Sequence, residues 1–142
     1  MSQLFTNNAT GTLSAAITNV ATTLVLGSGQ GAKFPALSGG NTFLLTLIGI
    51  TSGQESSWEI VSVTARTTDT LTIVRAQEGS TAAAWGINTP VGLRWTAGAA
   101  QAAATAGYLN IPQNSQSVAY TTVLADQGKH LLHPSRSEEH TS

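Results

Sequence analysis

The chain has 142 residues, of which 41% are hydrophobic and only 9% charged, with a formal net charge of −1. That length suits one ordinary domain, or a small domain with part of a second. The near-neutral balance leaves no basic patch for nucleic acid, and a chain without cysteine can hold no disulfide framework, thiolate zinc site or cysteine nucleophile.

Disordered chains also carry few large apolar residues, but they usually have a high net charge, which is missing here. Thr-rich stretches with Gly-rich punctuation suit β-structure instead. The N-terminus shows no charged segment followed by an apolar core, so no secretion signal is expected and synthesis would be cytoplasmic. The longest apolar run, Phe43–Ile50, is too short to span a bilayer, so no membrane partner is expected.

Asn8-Ala9-Thr10 matches a glycosylation sequon, a three-residue pattern frequent by chance and unsupported by a secretion signal. Thr22–Leu26 alternates with Leu24 and Leu26 on one face, a strand closed by Gly27-Ser28-Gly29-Gln30-Gly31. Those glycines with Lys33 invite a phosphate-loop reading. That motif needs Gly before the lysine and Ser or Thr after it, whereas Ala32 and Phe34 stand there, so a Gly-rich turn is the better reading. Pro35 and Gly39-Gly40 interrupt regular structure. Asn41–Ile50 reads as a well-buried strand, with Gly49 marking a bulge or its end.

Trp58–Val63 is the next strand, with Trp58, Ile60 and Ser62 on one face and Glu59, Val61 and Val63 on the other. A turn at Arg66–Asp69 returns the chain into Leu71–Arg75, an antiparallel hairpin. Thr81–Trp85 reads as a helical turn, or as a loop in which Trp85 plugs the core. Val91, Leu93 and Trp95 alternate as a last strand. Strands joined by short turns and lacking helical crossovers predict an all-β fold, a small antiparallel sandwich or barrel. Its expected core is Leu24, Leu26, Leu45, Leu47, Trp58, Ile60, Leu71, Ile73, Leu93 and Trp95.

The organisation that follows is a β-module over residues 1–96, a connector over 97–107 and the opening of a second β-module over 108–135. The connector holds seven alanines in residues 97–106 and reads as a linker or a short helix ending at Gly107. In the third segment Tyr120–Leu124 and His130–His133 form an incomplete hairpin. The last residues, Arg136-Ser137-Glu138-Glu139-His140-Thr141-Ser142, are what AGA-TCG-GAA-GAG-CAC-ACG-TCT encodes, and that DNA resembles the start of a common short-read sequencing adapter. Residues 136–142 therefore read as an artefact, and the natural frame as continuing elsewhere from about Ser135.

Catalytic and metal-binding patterns are weak. His130 and His133 are three apart, which on a strand sends them to opposite faces. Gly49-Ile50-Thr51-Ser52-Gly53 has the wrong spacing for a nucleophile elbow. Glu55 and Glu59 form a conceivable glycosidase pair, but a solvated edge explains them better. Trp58, Trp85 and Trp95 are the candidate glycan-stacking residues, against the simpler reading of tryptophan as core filling.

From Asp69 to Ala97 the chain contains Leu-Thr-Ile-Val-Arg-Ala-Gln-Glu-Gly-Ser, then Ala-Ala-Ala-Trp, then Val-Gly-Leu-Arg. This resembles a recurrent module of tailed-bacteriophage virion proteins, found in the N-terminal parts of tail fibres and related tail proteins. Leu4–Ala9, Ile17-Thr18-Asn19 and Glu59–Arg66 fit the same module, so the resemblance covers residues 3–97. Ala76 stands where the family usually has Gly, and Asn88 where Gly is common. Arg75 and Glu78 are expected to pair locally. Asn110–Ser117 with Leu124–His130 resembles the opening of another phage β-module. The resemblance implies a structural virion component, an attachment or spacer module of a tail fibre or appendage. It implies other tail proteins as partners, a homotrimer at full length, and no catalytic or cofactor residues. The classes that compete with it are a carbohydrate-binding module and the N-terminal fragment of a tail-associated enzyme.

Overall fold

A computed structural model describes residues 2–109 together with 113–115 and 130–132. The chain divides into two compact units, Met1–Thr96 and Ala97–Ser142.

The first unit is a curled six-stranded antiparallel sheet, a half-barrel. Its strands are β1 (Thr10–Thr12), β2 (Thr23–Val25), β3 (Phe43–Thr51), β4 (Gln54–Thr67), β5 (Thr70–Gln77) and β6 (Pro90–Gly92), in the order β1-β6-β3-β4-β5-β2. The centre is a meander. Ser52 and Gly53, both at positive φ, turn β3 into β4; Thr68, also at positive φ, opens the turn from β4 into β5. The two edge strands meet: Leu13 bridges Leu26, with Gly27 N–H donating to the Thr12 carbonyl and Ser14 N–H to that of Val25. The curl wraps a core of Leu13, Leu24, Leu26, Phe43, Leu45, Leu47, Val61, Val63, Leu71, Ile73 and Val91, all essentially without solvent contact. Phe34 stacks on Phe43 at 5.8 Å between ring centroids.

The alternation of β2, β3 and β5 puts Leu24, Leu26, Leu45, Leu47, Leu71 and Ile73 inside, as their sequence pattern requires. The bulge expected at Gly49 is present as a register shift between Gly49 and Ile50, where a Cβ would lie 2.1 Å from the Ser57 Oγ and the hydroxyl would have to turn away.

Strand β4 faces the opposite way to the expectation. Glu59, Val61 and Val63 point into the core, while Trp58 is 65% exposed and Ile60 only half-buried. The facing is inverted because the Glu59 carboxylate meets its cation and other donors inside. The last strand is also shorter than its alternation suggested. It is confined to Pro90–Gly92, so Val91 is buried, Leu93 only partly, and Trp95 lies outside at 63% exposure against Phe5.

In the second unit the alanine run is helical, α1 (Ala97–Leu109), as the high helix propensity of alanine favours. It continues past Gly107. Strand β7 (Gln113–Ser115) pairs in parallel with β8 (His130–Leu132), so β8 has a parallel partner upstream. The expected hairpin strand at Tyr120–Leu124 lies outside the described residues, as do His133 and the suspected adapter residues 136–142.

Candidate functional site

Three constellations gather the chemistry-bearing residues of the first unit. The first is built on Glu59, whose alternation in β4 carries a carboxylate into the core with no exposure at all. Opposite it on β5 stands Arg75. Its Nε donates to Glu59 Oε1 at 2.7 Å and its Nη2 to Oε2 at 2.6 Å, a two-pronged pair. Three further donors complete the shell: Ala76 N–H at 3.2 Å, Ala83 N–H at 3.1 Å and Trp85 Nε1–H at 2.8 Å. Arg75 gives two more of its donors to the carbonyls of Thr18 and Ala83. Burial pushes the Glu59 carboxyl upward, but its bonds from Arg75, Trp85, Ala83 and Ala76 outweigh that, and the group is held below its ordinary 4.5.

This cluster explains the residues of the Arg75–Trp85 motif. Trp85 is 8% exposed and closes one end of the half-barrel, bridging Ile17 through mutual backbone bonds. It is therefore the plug of the two roles considered for it, held from a loop and not a helical turn. The local Arg75–Glu78 pair does not form: Glu78 turns away at φ 51 and accepts from Thr96 Oγ1 at 2.7 Å. Ala76, where the resemblance expects glycine, sits at φ 56, and Asn88 at φ 65, so both positions need the left-handed conformation.

At the other end of the half-barrel the Gly-rich loop is anchored by Asp69. Its carboxylate accepts from Gly31 N–H at 2.7 Å and Gly29 N–H at 2.9 Å, which hold the carboxyl below its ordinary 3.8. The amides that a phosphate would use are thus occupied by an internal anion. Gly31 is required here because a Cβ would lie 2.0 Å from the Thr68 carbonyl oxygen. From the short 3-10 turn that follows, Gln30 accepts from Thr12 N–H at 2.7 Å and ties the loop to β1.

The third constellation lies outside the sheet. Ser56, Ser57, Trp58, Glu78, Gly79, Ser80 and Thr81 line an open groove of about 400 Å³. Beside it, Arg94 forms an exposed two-pronged pair with Glu55, lowering the Glu55 carboxyl and raising the Arg94 guanidinium. Glu55 and Glu59 therefore have separate partners, one in water and one in the core, and do not form a catalytic pair. The three tryptophans separate likewise: Trp85 in the core, Trp95 against Phe5 in a tilted contact at 4.9 Å between ring centroids, and Trp58 in the groove. Among the described residues no group of His, Asp and Glu is placed to hold a metal ion, and no helix is long and apolar enough to cross a membrane. Asn8 of the sequon is exposed, in a left-handed turn.

Sequence reasoning missed the Glu59 cluster. Its signal was a single charged residue in phase with Val61 and Val63, together with an arginine within the facing strand. No protein-family model matches the chain, and no curated protein matches it.

Proposed function

We propose that this chain is a non-enzymatic structural module of a tailed-bacteriophage virion, an attachment or spacer element of a tail fibre or tail appendage, with other tail proteins as partners. The observation that carries this reading is the use made of the motif on which the resemblance rests. Arg75 and Trp85 are consumed in holding Glu59 and closing the half-barrel, so the motif works as architecture. A module of this kind transmits position and load, and a core charge cluster that binds four chain segments together suits that task. The full-length protein is then a homotrimer, with the small side chains of α1 letting helices approach an axis. Alanine buries too little area to hold three chains by itself, so residues 1–135 alone are expected to be mostly monomeric at micromolar concentration.

Two measurements test the proposal. The source DNA is read outward on both flanks: neighbouring tail or baseplate genes support the virion role, and flanks without any virion gene overturn it. Sedimentation of the complete protein supports a fibre element if it is trimeric and removes that role if it is monomeric.

A further inference from the structure

Strand β3 turns Phe43, Leu45 and Leu47 into the core, so Thr46 and Ile48 belong to the outer face of the sheet. Elsewhere that face meets solvent, as the exposed side chains of Ile50, Trp58 and Val74 show. Thr46 and Ile48 are nevertheless buried, at 5% and 6% exposure. The topology identifies what lies over them. Arg94 follows β6 and pairs with Glu55 of β4, and β3 is the strand between those two. Thr96 donates its hydroxyl to Glu78, which follows β5, and both β3 and β4 lie between. The inside of the curl is filled by the core, so the chain from Arg94 to Thr96 runs across the outer face. It crosses at the level of the buried pair, because Gly92 lies beside Thr46, Thr46 beside Ile60 and Ile60 beside Gln77.

This crossing segment is attached differently from the strands. Its last backbone tie to the sheet is Leu93 N–H to the Ala9 carbonyl at 2.9 Å, and β6 has already ended at Gly92. Beyond that point side chains supply the catches: the two-pronged Arg94–Glu55 pair, the tilted contact of Trp95 with Phe5, and the bond from Thr96 Oγ1 to Glu78 at 2.7 Å. The ion pair stands half in water, where such pairs are weak and salt screens them. Segments held by exposed polar contacts and few backbone bonds open at far lower cost than a sheet.

We infer that Arg94–Thr96 is a strap latched over the outer face of β3, which opens and recloses as a local unit while the sheet beneath it stays folded. Open, it uncovers Thr46 and Ile48 and lets out about 10 Å of chain ahead of α1, three residues at their extended length. The Arg94–Glu55 pair is the latch that sets how often this happens. The device does not depend on the virion role.

The absence of cysteine makes a clean test. Thr46→Cys, with Ile48→Cys as a second reporter, puts a single thiol under the strap, and Val63→Cys puts one in the core. Reaction with an aromatic disulfide reagent is timed on the full chain in native buffer. The two outer-face thiols are expected to react about tenfold faster than the core thiol, or more, because the core thiol is reached only when the sheet opens. Arg94→Gln or Glu55→Gln should speed the outer-face thiols about two- to fivefold, the scale of an exposed ion pair, and the two together no more than either alone. Molar salt should accelerate them with the latch intact and leave them unchanged in the double variant. The Val63→Cys rate should stay the same throughout. Equal rates at the outer face and in the core overturn the inference, since the cover would then come off only with global unfolding. Outer-face rates indifferent to Arg94, Glu55 and salt overturn it too.

Discussion

Replacing Glu59 by Gln preserves shape and removes only one charge and half of the acceptor capacity, so it isolates what the carboxylate contributes. In the native site Oε2 receives Arg75 Nη2, Ala83 N–H and Trp85 Nε1, and Oε1 receives Arg75 Nε and Ala76 N–H. A glutamine is best oriented with its oxygen toward the three-donor side. Its NH2 group then confronts Arg75 Nε and Ala76 N–H, which are left without an acceptor. Each orphaned buried donor costs about 1–3 kcal/mol, and breaking one side of a buried ion pair costs about 3–5 kcal/mol. The loss expected for Glu59→Gln is therefore about 3–5 kcal/mol, a large share of the roughly 5–15 kcal/mol that stabilises an ordinary domain. Urea unfolding followed by tryptophan fluorescence measures it, with an unchanged m-value showing that the same surface is exposed. A loss below about 1 kcal/mol would refute the reasoning, because it would mean that the cluster is solvated. The pH dependence gives a second reading. The folded carboxyl lies below its ordinary 4.5, so its stabilisation is complete above that pH and disappears as pH falls through the folded value. Wild type should therefore lose stability below about pH 4.5 more steeply than Glu59→Gln.

Three further outcomes are expected. Ile73→Ala, a core truncation beneath β5, should cost about 2–5 kcal/mol in the same unfolding assay, and a loss under about 0.5 kcal/mol would contradict the burial of that face. Ala76→Gly should stabilise the protein by up to about 1 kcal/mol, because it removes a Cβ from a left-handed backbone at φ 56; a lowered melting midpoint would count against that strain. Asp69→Asn leaves one oxygen for two amide donors, so hydrogen exchange at Gly29 or Gly31 should accelerate while the amides of β3 keep their protection. Equal acceleration throughout would show that the loop is not a local unit.

What was legible in the sequence was what is decided locally. Leu24 with Leu26, Leu45 with Leu47 and Leu71 with Ile73 announce their facing by alternation. Gly49 and Asn88 announce a bulge and a left-handed turn through their own backbone preferences. β4 defeated the same reading because its two faces carry similar apolar weight, and Trp58 against Glu59 tipped the choice. The partner that makes Glu59 tolerable inside is Arg75, 16 positions away and brought opposite only when the hairpin forms. Trp95 failed for a related reason: β6 ends at Gly92, so no ladder carries the alternation to it. The groove was half visible. Trp58 was a named stacking candidate, but its exposure depends on where β5 stops.

The meeting of the two edge strands bears on how crowded copies of this protein behave. With 9% charged residues and a net charge of −1, the chain has little electrostatic repulsion to hold neighbours apart. Protection against edge-to-edge stacking must then be geometric. β1 and β2 are three residues each, and beyond Thr12 and Val25 the chain pairs one edge with the other at Leu13 and Leu26. Opening that one seam, for instance with a proline at Gly27, whose N–H donates across it to the Thr12 carbonyl, would uncover two unpaired ribbons on a weakly charged molecule. The failure expected first is therefore fibrillar self-association, with the folded core of the meander still intact.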